Sequence, residues 1–436
     1  MMATEELAAR FGNDAAAGWF GLDRGEVEPL LRRLRPGQDD APSLLREAFA
    51  RAALSGIAEP GDRIAGAAVQ SLGGAATLAW LLSEARDTLP DGIGVTSEEW
   101  GAAIARWQPR LSARHILRAL QAAVSVKASL VLPADAAWPA GLDDLGEHAP
   151  QVLWLRGNAE LLPAQTANAV AIVGTRAATG YGEYVAAELA SGLAGSGVAT
   201  VSGGAYGIDG VVHRASLAAE VSTVAVLAGG IDRLYPAGHE QLLRCIAEDG
   251  VVIAETLPGT SPSRWRFLQR NRIIAALAHT VVVIEAGVRS GALNTTAHAV
   301  ALGRTVAAVP GPVTSAASAG THRLIRDFDA ALVTSSRDLL ALLPGRGVET
   351  ASAEEEAVAT AEAAESTPAD AAVEHAAEIR VLDAMSTRSR RTIEQISVGS
   401  GLAVEQVRSV LGMLRLDEAV DESDGGWRKR VQRGSA

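Results

Sequence analysis

Between Ser263 and Arg272 the chain reads Ser-Arg-Trp-Arg-Phe-Leu-Gln-Arg-Asn-Arg, four arginines interleaved with two aromatic rings. A guanidinium takes two phosphate oxygens at once, and an aromatic face stacks an unpaired base, so the combination suits a single-stranded nucleic acid. Arg264, Arg266, Phe267, Arg270, Asn271 and Arg272 are therefore candidate strand contacts. The alternative places Trp265 and Phe267 in the core and leaves the arginines in water.

A second set of candidates consists of small residues at the ends of apolar runs: Gly174-Thr175-Arg176, Ser202-Gly203 with Gly207, Gly229-Gly230, and Ser290-Gly291 with Thr295. Glycine lets backbone N–H groups approach an oxyanion, and a helix that starts there adds partial positive charge. One such loop says little, because any strand-to-helix turn needs it. Several along one edge point to a long phosphate-lined groove.

The usual nucleotide signatures are missing. No G-x-G-x-x-G follows the first strand and no G-x-x-x-x-G-K-[ST] occurs, which argues against NAD and against ATP hydrolysis. Asp209, Asp232, Glu255 and Glu285 could act as acids or bases. The sequence favours Asp209 and Asp232 as turn braces and the glutamates as residues that shape the groove. His213 and His239 read as turn or cap residues. Cys245 stands alone, which excludes a disulfide framework and a multi-cysteine metal site, and it reads as a small packed residue. No catalytic residue, metal or cofactor is expected.

The elements that must hold these residues are short β-branched runs alternating with helical segments: Val170–Val173, Val198–Val201, Thr223–Leu227, Val251–Ala254, Thr280–Ile284 and Thr305–Val309. Each is nearly all apolar, as strands buried on both faces of a parallel sheet are. The prediction is an α/β fold, a Rossmann-like doubly wound and mostly parallel sheet over residues 150–342. Ligands of such sheets bind beyond the carboxyl ends of the strands.

Residues 1–149 read as an Ala-rich helical domain in which Leu54–Asp62 and Leu72-Gly-Gly74 resemble a degraded helix-hairpin-helix of SAM-like kind, with a plain helical packing module as the alternative reading. Residues 343–375 read as an acidic, disordered linker. Residues 376–436 read as a winged helix: helices Ile379–Met385, Thr392–Val398 and Val404–Leu414, then a hairpin around Gly425-Gly426. Its third helix offers only Arg408 and Arg415 beside Glu405, so the wing, Arg428-Lys429-Arg430 with Arg433, is the better phosphate contact.

The net charge of −12 over 436 residues argues against a simple polyanion binder, but the charge is uneven: Glu349–Glu378 has no Lys or Arg. Lys127 and Lys429 are the only lysines, so phosphate contacts would be guanidinium forks. Met1–Phe11 lacks the apolar stretch of a signal peptide, and no apolar run approaches the ~20 residues of a membrane span. A cytoplasmic protein with no membrane partner is expected.

At these motifs the chain resembles the DprA/Smf family, DNA-processing protein A. Ala171-Ile-Val-Gly-Thr-Arg176 with Tyr181-Gly182 is similar to the family's first-strand signature. Ser202-Gly203 through Gly207-Ile208-Asp209 with His213, and Val226-Leu-Ala-Gly-Gly-Ile-Asp232 with Tyr235-Pro236, resemble the next two. Arg270-Asn-Arg-Ile-Ile274, Val283-Ile-Glu-Ala286, Ser290-Gly-Ala-Leu293 with Thr295, and Val309-Pro-Gly311 complete the order. The resemblance implies a core that binds single-stranded DNA, forms a homodimer and recruits the RecA recombinase, protecting incoming DNA in natural transformation. It implies that Gly174, Thr175 and Arg176 grip phosphate and that Arg270 and Arg272 line the pocket. The chain departs from the pattern at Ala254, where serine is usual, at His322, where asparagine is usual, and at Ala237-Gly238, where a basic residue often follows Tyr-Pro.

Two other functions fit the same architecture. One is a Rossmann-like nucleotide hydrolase of the phosphoribohydrolase kind, whose P-G-G-x-G-T-x-x-E signature this chain lacks. The other is a winged-helix transcription regulator, against which the third helix's poverty in base-reading side chains counts.

Overall fold

The computed structural model describes residues 19–345 and 381–429, apart from 39, 160, 163–167, 383, 387, 388, 401, 403, 417–419, 424 and 425. The chain start and most of the acidic linker expected at 343–375 lie outside the described residues. The described residues fall into two compact units divided between Val348 and Glu349.

The first unit is built on a nine-stranded sheet in the order β1-β2-β6-β5-β4-β3-β7-β8-β9. Its strands are β1 (Ser129–Val131), β2 (Leu153–Gly157), β3 (Ala169–Val173), β4 (Ala199–Ser202), β5 (Thr223–Leu227), β6 (Val251–Ala254), β7 (Thr280–Val283), β8 (Thr305–Ala308) and β9 (Ala331–Leu332). From β6 to β9 every neighbour is parallel; β2 and β1 extend the β6 edge antiparallel. The six apolar runs predicted as strands correspond to β3–β8. The sheet also draws a strand from Ser129–Val131, ahead of the 149/150 boundary read from the sequence.

Strands β3, β5, β6 and β7 are buried at every residue. Alternate side chains therefore serve opposite faces. Val170 and Ile172 of β3 pack with α7 (Gly180–Ser191), α8 (Ile208–Ala218) and α13 (Ser336–Ala341). Ala171 and Val173 pack with α10 (Arg264–Ala276), α11 (Ala292–Ala301) and α12 (Ala319–Asp327). On the β5–β6–β2 side, Ala225, Leu227, Ala254 and Trp154 meet α9 (Glu240–Asp249) and the N-terminal helices.

Those helices are α1 (Arg24–Leu34), α2 (Pro42–Ile57), α3 (Arg63–Leu72), α4 (Gly74–Leu82), α5 (Ser97–Trp107) and α6 (Ala113–Ser125). Just past α1, Arg35 is fully buried and donates to Asp135 at 2.7 and 2.9 Å, to the Leu130 carbonyl oxygen of β1 at 3.2 Å, and to Asp40. This network fastens the helical module to the sheet edge. Among the described residues no single helix is long and apolar enough to cross a membrane.

In the second unit, α14 (Ile393–Ser400) and α15 (Val404–Leu416) precede an antiparallel hairpin of β10 (Val420–Ser423) and β11 (Gly426–Lys429). Val381, Met385, Ile396, Val407, Leu411, Leu414, Val420 and Trp427 form its core. Of the predicted helix Ile379–Met385, residues 379, 380 and 383 lie outside the described residues, as do Arg430 and Arg433.

Candidate functional site

The strand order reverses between β3 and β7: the chain proceeds outward through β4, β5 and β6, then returns to the far side of β3 for β7, β8 and β9. A crevice forms beyond the carboxyl ends at such a switch point. Here it is a cleft of about 700 Å³, lined on one side by Gly174 and Arg176 after β3 and on the other by Arg289, Ser290, Gly291 and Thr295 after β7. Ser263, Arg264, Phe267, Arg270 and Asn271 of the α10 region and Tyr235 after β5 complete its wall.

The 174–176 loop is held from behind. The Thr175 N–H donates to the Glu285 carbonyl oxygen at 2.8 Å, and the Thr175 carbonyl oxygen accepts from the Ile208 N–H at 3.2 Å. The buried Glu285 carboxylate accepts from the Thr179 N–H at 3.0 Å and from its hydroxyl at 2.6 Å, while Thr179 caps α7. Arg176 is left exposed at the mouth, and its guanidinium carbon lies 4.6 Å from the centre of the Phe267 ring. Tyr235 lies on that ring's flank with centroids 6.0 Å apart, and Arg270 sits 5.9 Å from the ring centre.

Ser263 caps α10, accepting from the Arg266 N–H at 3.2 Å, and the helix then divides its arginines between two faces. Phe267, Arg270, Asn271 and Ile274 share the cleft face at helical spacing. Arg270 is buried and donates to the Val226 carbonyl oxygen at 2.6 Å. Burial and the nearby Arg176 pull its guanidinium down to about 10, so it stays charged at neutral pH. Asp209 also lines the cleft; burial raises its carboxyl above the ordinary range, against the pull of Arg270. Asn271 donates to Asn294 Oδ1 at 3.2 Å and to the Gly291 carbonyl oxygen at 3.4 Å, fixing the β7 loop. With Arg176, Arg264, Arg270 and Arg289 against one carboxylate, the cleft is cationic in a chain of net charge −12.

Several expected contacts stand elsewhere. Arg266 turns from the cleft to Glu59, donating at 2.9 and 3.1 Å, and to the Ser261 carbonyl oxygen at 2.8 Å. Arg272 is buried on the same side, 2.6 Å from Glu255 and against Gly61. The turn between α2 and α3, read as a degraded helix-hairpin-helix, is thus spent on packing against α10. Ser202 is buried and donates to the Ile172 carbonyl oxygen at 2.8 Å. The position a Cβ of Gly203 would take is filled by the Arg270 guanidinium; that of Gly207 (φ 73°) is filled by the 175–176 backbone. Gly229 and Gly230 abut the 258–262 loop, where Gly230 donates to the Thr260 carbonyl oxygen at 2.9 Å. These glycines are small because protein approaches them, and the Thr175 hydroxyl accepts from the Ala177 N–H at 3.3 Å.

The notion that Trp265 and Phe267 are core is reversed: Trp265 is 56% exposed while Arg270 and Arg272 are buried. Asp232 braces a turn, accepting from the Gly259 N–H at 2.7 Å. His213 Nδ1 lies 2.8 Å from Thr223 Oγ1 and His239 Nδ1 lies 3.0 Å from the Gly204 carbonyl oxygen. Tyr235, Asp209, Ser263 and Arg289 reach the cleft although only the Arg264–Arg272 run and the glycine loops stood out as contacts. Their signal was position, since each lies in a motif at a strand's carboxyl end or at the start of α10.

Residues 129–344 match the family model of DNA recombination-mediator protein A. Over 309 residues the chain is 49% identical to a Mycobacterium tuberculosis protein provisionally named DNA processing protein DprA, covering 69% of this chain and 76% of the relative. It is 40% identical over 200 residues to DNA processing protein DprA of Streptococcus pneumoniae, covering 45% of this chain and 69% of the relative. The X-ray structure of DNA processing protein A from Streptococcus pneumoniae superposes with a TM-score of 0.53 at 29% identity, covering 67% of this chain and 97% of that one.

Proposed function

The chain belongs to the DNA recombination-mediator protein A family, and from that premise we propose that its sheet domain acts in DNA processing by holding single-stranded DNA in the switch-point cleft, as a binding protein and not as an enzyme. The observation that carries this reading is the Arg176–Phe267 pair: an exposed guanidinium 4.6 Å from an aromatic centre, at the mouth of a cationic cleft. A phosphate meets the fork while an unpaired base meets a ring, either Phe267 or the exposed Tyr235 and Trp265. A duplex hides its base faces and gains only the phosphate part. Titrating oligo-dT and a duplex of equal length against the full chain tests this. Tighter binding of the single strand, weakening steeply with salt, is expected; equal affinity would contradict it.

A nucleotide hydrolase would have to use Asp209, the one carboxylate in the cleft lining among the described residues, whose raised carboxyl could donate a proton. Glu285 and Glu255 are engaged by Thr179 and Arg272. Nucleotide turnover lost on Asp209→Asn would favour that reading; its absence from wild-type protein favours binding.

Delivery of the strand to a RecA recombinase, homodimer formation, a winged-helix fold for the second unit and a cytoplasmic site of action belong to the same proposal. Light scattering and a RecA strand-exchange assay with the full chain test the first two.

A further inference from the structure

We propose that a second basic pocket, beside the carboxyl end of β2, receives a phosphate of the same DNA strand after it leaves the cleft. The pocket encloses about 420 Å³ and is lined by Lys127, Arg156, Arg233 and Arg244 with Asp232 and Glu240. This inference rests on the reading of the main cleft as a single-strand site.

The four cations come from separate elements. Lys127 stands in the turn between α6 and β1, Arg156 in β2, Arg233 in the loop after β5 and Arg244 on α9. The two acids are partly committed: Asp232 accepts from the Gly259 N–H at 2.7 Å, and Glu240 pairs with Arg244 at 2.5 Å within one helix. Arg156 is the distinctive group. It is half-buried, with no carboxylate within ion-pairing distance among the described residues, and its register partner Val252 offers its side chain no charge. Burial and the charge of Arg244 both pull its guanidinium down. A charge taken partly out of water without a partner is costly. An oxyanion seated between Arg156, Arg233 and Arg244 removes that cost, and a guanidinium fork matches phosphate geometry.

The loop after β5 says whose phosphate it is. Asp232, Arg233 and Leu234 line this pocket, and Tyr235, the next residue, lines the cleft. Two residues of chain span at most about 7 Å, so the backbones of Arg233 and Tyr235 lie within that distance and the loop joins the two pockets. A strand stacked on Tyr235 has its following phosphates within reach of Arg233.

The test uses the full chain and two oligo-dT probes, one of about five nucleotides that fills the cleft and one of about twenty. Arg156→Gln should weaken the longer probe about tenfold and reduce its salt slope by about 0.7. The short probe and the melting temperature should be unchanged. Arg233→Gln, at an exposed position, should act alike and keeps the test valid if Arg156→Gln misfolds. Unchanged affinity for the longer probe, or equal loss for both probes, would overturn the proposal. So would an affinity unchanged for the longer probe but with inorganic phosphate raising the melting temperature of the wild type and not of Arg156→Gln, which assigns the pocket to a free phosphate compound. Failure of the cleft reading is separate: there Arg176→Ala leaves both probes unaffected, whatever Arg156→Gln does.

Discussion

Arg270 and Arg272 stand two residues apart on α10 and are buried on opposite sides of it, Arg270 reaching the Val226 carbonyl oxygen under the cleft and Arg272 reaching Glu255 beside the N-terminal helices. One short basic run therefore serves two tasks, lining the cleft and fastening the helical module to the sheet.

Arg272→Met should be a stability mutation. Removing one partner strands the Glu255 carboxylate in a buried setting, which costs about 3–5 kcal/mol. Denaturant unfolding should show that loss, and the double variant with Glu255→Leu should recover much of it. Oligo-dT affinity of the folded protein should stay within about threefold of wild type, less than one lost charged hydrogen bond. A large affinity loss with unchanged stability would return Arg272 to the ligand.

Acid should destabilise the first unit partly through His213. Its ring is buried in α8, and burial, followed by the charges of His239, Arg270 and Arg214, pushes it down to about 3. In the unfolded chain it titrates near its ordinary value of about 6.5. The unfolded state thus binds a proton that the folded state refuses. The contribution is present in full above about pH 6.5 and is lost as pH falls toward 3, reaching about 2 kcal/mol by pH 5. His213→Gln, which retains a partner for Thr223, should flatten that limb in a series of denaturant melts. An identical acid slope in the variant would mean that other groups cause it.

Phe267→Ala should weaken single-strand binding by about 1–3 kcal/mol, the value of one stacked base. Tyr at this position should retain most of the affinity. Quenching of exposed tyrosine and tryptophan fluorescence on oligo-dT addition would report the stacking. A Phe267→Ala protein that binds normally would remove the ring from the interface.

The six strands at the heart of the sheet were legible because Val, Ile and Ala on both faces leave an unbroken apolar run, as in Val224–Leu227. β1 was not, because a three-residue antiparallel edge strand such as Ser129–Val131 carries too little pattern. For the site, Arg176, Phe267, Arg270 and the Ser290–Thr295 loop could be read as cleft residues. What spacing could not show is which side of a turn approaches what. Gly203 and Gly207 carry the signature of a phosphate loop, but the room they leave is taken by Arg270 and by the 175–176 backbone. Likewise only the helical phase of α10 against the 59–61 turn separates Arg266 and Arg272 from Arg270.

The most direct measurement is oligo-dT affinity and melting temperature on the same Arg176→Ala protein. Arg176 is exposed, pairs with no carboxylate among the described residues and rests on Phe267. Binding should weaken by about 1.5–3 kcal/mol, the value of a charged hydrogen-bonded contact. Arg176→Lys should restore only part of it, since the charge returns without the fork. The melting temperature should barely move. Wild-type affinity in Arg176→Ala would contradict the account, and would do so most clearly alongside a fall of several degrees in melting temperature.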